Sequence, residues 1–295
     1  MSHQFNEQIA QGMLDKARLH LEHKINKCSP TENKTLVVIG GQPGAGKSSI
    51  TKLVEERFNG NIVTLNGDDF KTYFPNYKEL LAKDPDKTAD LVQPYSNYVV
   101  DHLKNDLIDK RLNVMVEGTM RTLNVPINTI DQFKNNGYTA EAYVVSVNQF
   151  ASRVGCIERY ENDVALSGSG RSVKLSAHDE VYSKIPITLQ GLLESNKLTN
   201  ITIMDRDGNK IAELAKGDDI VKAYTTFRNE ITLDQYKNVA DKIDKTMFKM
   251  YERGVAPTEY SELKDIKKAL TNEFTKQQGI DTNSMNKSNS RGFER

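Results

Sequence analysis

The 295-residue sequence predicts an α/β fold, a P-loop NTPase-like parallel sheet flanked by helices, with a helical C-terminal extension. Three observations carry this prediction. A complete G-x-x-x-x-G-K-[ST] loop, Gly41 to Ser48, lies directly behind the apolar, β-branched run Leu36-Val37-Val38-Ile39. Further short apolar runs follow it, separated by helical stretches of crossover length, which is the pattern of parallel βαβ units. Past about residue 218 no strand signal remains, and the chain turns helical and highly charged.

The elements follow in order. Phe5, Ile9, Met13, Ala17 and Leu21 recur every four residues and mark an amphipathic helix through about residue 24, within an N-terminal unit of residues 1–30. Ser29-Pro30-Thr31-Glu32-Asn33 breaks that pattern as a loop. Residues 31–215 then form the predicted catalytic domain, with strands at 36–39, 62–65, 114–116, 142–147 and, last, 201–204. Pro94-Tyr95-Ser96 reads as a turn into a helix through His102, whose Val99, Leu103 and Leu107 face the core. Gly168-Ser169-Gly170-Arg171-Ser172 is small, polar and flexible, and divides the helix of Ile157-Glu158-Arg159-Tyr160 from one starting near Ser176. Residues 216–281 form the helical extension, with a new helix at Pro257, and 282–295 reads as a disordered tail.

Composition narrows the classes. Forty basic and forty acidic side chains cancel, so neither nucleic acid nor membrane is expected as a partner. Cys28 and Cys156 stand far apart without a C-x-x-C, which argues against a disulfide framework or a zinc site, and Cys156 reads as a small buried filler. The first residues lack a basic region followed by an apolar core, and no apolar run is long enough to span a bilayer. The expected address is the cytoplasm, with export by a signal-less route left open.

The chemistry starts at the loop. Gly41, Gln42, Pro43, Gly44, Ala45, Gly46, Lys47, Ser48 and Ser49 form the predicted nucleotide site. Its glycines let successive N–H groups point at phosphate oxygens, and the following helix adds its positive end. Lys47 reaches the β- and γ-phosphates, and the Ser48 hydroxyl is placed to ligate Mg²⁺. At the end of the second strand, Asp68 or Asp69 faces the crevice; Asp68 is either a base for an attacking hydroxyl or the cap of a short helix. Glu117 ends the third strand as a Walker B-type acid or as a partner of Arg121. Arg159 and Arg171 flank the flexible segment, either as a lid that meets the transferring phosphoryl or as surface charges. His178-Asp179 reads as a solvent-facing polar pair, because sequence neighbours on a helix point different ways.

Beyond the loop an ordered series of motifs continues. It comprises Gly67-Asp68-Asp69-Phe70, Pro75-Asn76-Tyr77, Pro94-Tyr95-Ser96-Asn97, Glu117-Gly118-Thr119-Met120-Arg121-Thr122 and Val125-Pro126. Ile157-Glu158-Arg159-Tyr160 and Arg171 ahead of Ala177-His178-Asp179 complete it. Over about residues 36–205 the series resembles the zeta toxins of bacterial toxin–antitoxin systems. The resemblance implies a kinase that uses ATP or GTP with Mg²⁺ to phosphorylate the sugar 3′-hydroxyl of UDP-N-acetylglucosamine, with an antitoxin protein as partner. It implies that Asp68 is the base, that Lys47, Arg159 and Arg171 clamp phosphate, and that Asp101, Thr119, Arg121 and Thr129 hold the acceptor; Glu117 joins the substrate-binding set from its place at the end of the third strand. The departures are Phe74 in place of a common substrate-facing histidine, Asn66 in place of a frequent aspartate, and Asp101 in place of the usual glutamate. They touch the acceptor side and leave another nucleotide-like acceptor, such as NAD, as an alternative. A nucleotide-switched interaction module is a further alternative, as is self-inhibition by the N-terminal helix lying across the nucleotide site.

Overall fold

The computed structural model describes residues 5–168 and 170–279. The proposed tail at 282–295 lies outside them. The elements run α1 (Glu7–Lys27), β1 (Thr35–Gly40), α2 (Lys47–Arg57), β2 (Val63–Asn66), α3 (Gly67–Phe70), α4 (Tyr77–Lys83), α5 (Pro85–Asp109) and β3 (Val114–Glu117). They continue as α6 (Asn124–Lys134), β4 (Thr139–Val145), α7 (Gln149–Ser167), α8 (Leu175–Glu194), β5 (Asn200–Met204), β6 (Lys210–Glu213), α9 (Ile220–Asn229), α10 (Leu233–Glu252) and α11 (Ser261–Gln277).

Among the described residues six strands form one sheet in the order β2-β3-β1-β4-β5-β6. All pairs are parallel except β5 with β6. Strand β1 lies at the centre. The chain leaves it toward β2 and later returns to its other side as β4, so the loop after β1 opens at the topological switch point, where α/β sheets bind ligands. The register sets the carboxyl ends level, with Glu117 opposite both Ile39 and Asn66.

Both faces of the sheet are covered. Leu36 and Val38 of β1 enter one core, shared with α1, α5, α6, α8 and α9. Val37 and Ile39 enter the other, shared with α2, α7, α10 and α11. This alternation in a strand buried on both faces explains why the β1 run is continuously apolar. The changes of composition near residues 30 and 215 do not separate these cores. Ala10, Met13, Leu14, Ala17 and Leu21 of α1 share one with Ile220 and Tyr224 of α9.

Three expectations are corrected. The sheet does not end at β5: the Asp205 carboxylate accepts from the Asp207 and Asn209 backbone N–H groups (2.9 and 2.8 Å), and this turn sends the chain back as antiparallel β6. Strand β4 starts three residues before the predicted run and ends two before its close. Pro94 lies inside the 25-residue helix α5 instead of in a turn. Thr88, Val92, Tyr95, Ser96, Val99, Leu103 and Leu107 bury one face of that helix, which outweighs the hydrogen bond the proline cannot make.

Candidate active site

The phosphate loop joins β1 to α2 and sits against the first turns of α7. Gly44 has φ +72°, and a Cβ there would collide with the Ser152 carbonyl and crowd the Cys156 backbone. The approach is mutual, since a Cβ on Gly155 would come within 2.7 Å of the Gly44 oxygen. Cys156 is buried against the loop, as expected for a filler, and desolvation pushes its thiol up to about 11. Gln42 and Ala45 are buried, whereas Ser48 is exposed on the first turn of α2, where helix N–H groups are unspent. Ser49 is half-buried, its N–H donating to Gly46 (3.1 Å). Lys47 curls back over the loop, its Nζ donating to the Gly41 and Gln42 carbonyls (3.0 and 3.3 Å).

Glu117 reaches this lysine. Its Oε1 lies 3.9 Å from Lys47 Nζ, and both side chains are largely enclosed. Desolvation lowers the Lys47 pKa against the pull of Glu117 and Asp68. Desolvation likewise raises that of Glu117, opposed by Lys47. The alternative pairing of Glu117 with Arg121 is not the one formed: Arg121 turns to Glu180 at 3.8 Å.

Asp68 enters from the end of β2. The cap of α3 is Asn66, whose side chain accepts from the Asp68 N–H at 3.1 Å, so the Asp68 carboxylate is free of that duty. It lies 2.9 Å from Lys71 Nζ and 3.1 Å from Arg171. Burial opposes ionisation, but Lys71, Arg171 and Arg159 outweigh it and hold Asp68 below the usual carboxylate range. Burial raises the neighbouring Asp69. Arg159 on α7 acts electrostatically on Lys47, Asp68 and Glu117 alike. Its Nε is buried without a hydrogen-bond partner among the described residues, whereas the buried terminal nitrogen of Arg171 is the one that faces Asp68. A guanidinium donor left unspent beside a phosphate loop suits an anion that arrives from outside.

The structure therefore brings Lys47, Asp68, Glu117, Arg159 and Arg171 to the carboxyl end of the sheet. The remaining acceptor-side residues are spread more widely. Thr119 is exposed after β3, Asp101 pairs with Lys104 along α5 (2.8 Å), and Thr129 is buried on α6. Phe74 is buried edge-on against Tyr95, their ring centroids 5.0 Å apart.

Two groups were missed in the sequence. Lys71 stands three residues after Asp68, a helical spacing that was there to be read. His178 is the second, and its reading as a solvent-facing polar residue is corrected: it is fully buried, with Nδ1 2.9 Å from Asp179 Oδ1 and Nε2 2.8 Å from Ser152 Oγ. Near the start of α8 the two neighbouring side chains do meet, and Ser152 comes from another helix.

With this geometry in place, comparison with known proteins decides the family. The zeta toxin family model matches residues 19–214. The chain belongs to the zeta toxin family. It is 34% identical to Toxin zeta of Streptococcus pyogenes over 193 residues, which covers 65% of this chain and 67% of the relative. It is 29% identical to Toxin PezT of Streptococcus pneumoniae over 172 residues, covering 58% and 68%. Among solved structures, a chain from the PezAT toxin–antitoxin system of S. pneumoniae shares the fold, with a TM-score of 0.72, 20% identity, and coverage of 83% of this chain and 98% of that one. A chain of the AvrRxo1-ORF1:-ORF2 complex with ATP matches with a TM-score of 0.51 at 15% identity, covering 90% and 84%.

Among the described residues no cluster of three or more His, Cys, Asp or Glu could hold a metal, and no helix is long and apolar enough to cross a membrane. A magnesium ion carried by substrate phosphates needs only one or two protein ligands, and the exposed Ser48 hydroxyl fits that requirement.

Proposed function

We propose that this zeta toxin family member is a kinase that moves the γ-phosphoryl of ATP or GTP onto the sugar 3′-hydroxyl of UDP-N-acetylglucosamine, acting as a toxin restrained by an antitoxin protein. The observation that carries the kinase reading is the meeting of a half-buried Asp68, its pKa held low by neighbouring cations, with Arg171 beside the Lys47 loop. The family match and the curated relatives named as toxins support the biological role. The solved toxin–antitoxin relative supports an antitoxin partner.

In this reading Lys47 leaves the Gly41 and Gln42 carbonyls for the β- and γ-phosphates. Asp68 accepts or orients the proton of the acceptor hydroxyl. Arg171 moves from Asp68 to the transferring phosphoryl, and Arg159 approaches it from α7; together they answer the spread negative charge and exclude water. The Ser48 hydroxyl would hold a magnesium ion brought by the nucleotide, which would supply neutralisation of phosphate charge. Glu117 holds Lys47 in register and stands at the acceptor rim with Thr119 and Arg121, while Asp101 and Thr129 complete the acceptor side.

The burial of Phe74 and the pairing of Asp101 with Lys104 favour a second reading of the acceptor, another nucleotide-like alcohol such as NAD. Incubation of the protein with ATP, Mg²⁺ and each candidate acceptor, or with a metabolite extract, followed by mass spectrometry, identifies the product. Asp68→Asn is expected to cut transfer by about 10²- to 10⁴-fold while nucleotide still binds. A fully active variant removes the base assignment. Tight nucleotide retention with no phosphorylated acceptor in any extract supports a nucleotide-switched interaction module instead.

A further inference from the structure

A buried hydrogen-bonded chain, separate from the reacting groups, ties the phosphate loop to the two segments that carry the arginines. Gln42 Nε2 donates to Ser152 Oγ and to the Val147 carbonyl, both at 3.2 Å. Ser152 Oγ lies 2.8 Å from His178 Nε2, and His178 Nδ1 lies 2.9 Å from Asp179 Oδ1. Arg153 closes the series with a two-pronged bond to Asp179, at 2.9 and 2.6 Å. Gln42, Ser152 and His178 are closed to solvent.

The Asp179 carboxylate sets the direction of the bonds at His178. Asp179, held as an anion by Arg153 and by His178 against the cost of burial, accepts from Nδ1–H. Nε2 is then an acceptor, and the Ser152 hydroxyl donates to it over 2.8 Å, closer than the Asn148 and Gln149 carbonyls at 3.2 and 3.1 Å, while accepting from the Gln42 amide. Burial lowers the His178 pKa, which keeps this neutral tautomer. A Ser-His-Asp series invites comparison with a hydrolase nucleophile. This Oγ is sealed and already accepts from Gln42, so no carbonyl can reach it.

Its place in the fold gives it another role. Ser152 is in the first turn of α7, two turns before Arg159 on the same helix. His178 is in the first turn of α8, just after the segment that carries Arg171. We propose that His178 is a positioning residue: through Ser152 it locks the Gln42 turn of the phosphate loop to the roots of both arginine-bearing segments, so that the loop is preformed for triphosphate. This rests on the reading of residues 41–48 as a nucleotide site and goes beyond it by assigning a buried histidine to that site's geometry.

The test uses the full-length protein and a fluorescent ATP analogue with Mg²⁺, and asks for affinity at a temperature where circular dichroism shows every variant folded. His178→Gln places an amide oxygen near the Nε2 position and keeps an acceptor for Ser152. His178→Asn keeps only the Asp179 side. His178→Ala, His178→Asn and Ser152→Ala should each weaken binding about fivefold to tenfold, the size of one buried hydrogen bond. His178→Gln should stay within about threefold of the native protein, and adding Ser152→Ala to His178→Ala should cost nothing further. Should His178→Ala not fold, the Gln/Asn contrast and Ser152→Ala decide alone. Folded variants with unchanged affinity, or equal losses in Gln and Asn, overturn the inference. Native protein that does not bind the analogue overturns the reading of the loop itself, and this inference with it.

Discussion

Asp68 is held between two cations that do different work. Lys71 shares its helical turn and is only 13% exposed, so it stays with the carboxylate, whereas Arg171 arrives from a distant segment and is free to leave. Lys71 therefore sets the resting ionisation of the base. Burial alone would raise the Asp68 pKa, and Lys71 heads the charges that bring it below the usual range. A carboxylate with a depressed pKa stays ionised until pH falls through that low value, so native transfer should be flat well into the acid range. Lys71→Met is expected to change the rate at pH 8 by less than about tenfold and to move the acidic limb of the pH–rate profile upward. A limb that does not move would mean that Arg171 and Arg159 suffice. At this scale the sequence was partly legible. Asp68, Glu117 and Lys47 follow from their positions behind strands β2, β3 and β1. The burial of His178 did not, because its partner Ser152 lies 26 residues away and only the packing of α8 on α7 joins them.

Helix α7 shows why the C-terminal extension matters to a site it never enters. One side of the helix abuts the phosphate loop through Gly155, and another is gripped by α10. Arg253, just past the end of α10, makes two 3.0 Å bonds to Glu161; Lys242 pairs with Glu158 at 2.9 Å, and Lys249 donates to Asn162 at 3.0 Å. Glu158 precedes Arg159 and Glu161 follows it by two, so the grip brackets the arginine. The Glu161 side chain is 3% exposed and Arg253 37%, so the pair is half-screened, below the cost of breaking a fully buried one. Arg253→Met should destabilise the protein by about 2 kcal/mol in chemical denaturation, and Glu161→Gln added to it should restore part of that loss. An unchanged midpoint would show that the carboxylate finds water when the arginine is removed. The charged periodicity of α10 was legible as a helix. Its partner was not, because a Lys/Glu-rich face looks the same whether it meets solvent or another helix.

At the scale of the molecule, what could be read was the central sheet: each parallel strand carries at least alternate buried apolar residues, and the loop after β1 marks the switch point. Edge strand β6 escaped because its Lys-Ile-Ala-Glu is too short and polar to announce itself without β5 beside it. The place of α1 escaped for a different reason: an apolar stripe says that a helix is buried, not against what. In the structure α1 lies on α5, with Arg18 paired to Asp106 (2.8 Å) and Phe5 stacked on Tyr95 (4.7 Å between centroids). The loop glycines instead face Ser152, Cys156 and Arg206. These contacts speak against the alternative in which the N-terminal helix inhibits by crossing the nucleotide site. Met13, Leu14 and Leu21 are buried in the main core, and each such side chain is worth roughly 1.5–3 kcal/mol. Their joint loss is comparable to the whole stability of a typical domain, about 5–15 kcal/mol. Deleting residues 1–28 should therefore yield aggregated or molten protein, seen as lost soluble yield and a lost cooperative melt, and not a more active enzyme. The milder Leu14→Ala should keep the fold at a cost of about 2–5 kcal/mol with nucleotide affinity unchanged. A truncated protein that melts cooperatively and transfers phosphate faster than the full chain would return α1 to the role of inhibitor, because only a helix outside the core can be removed without opening it.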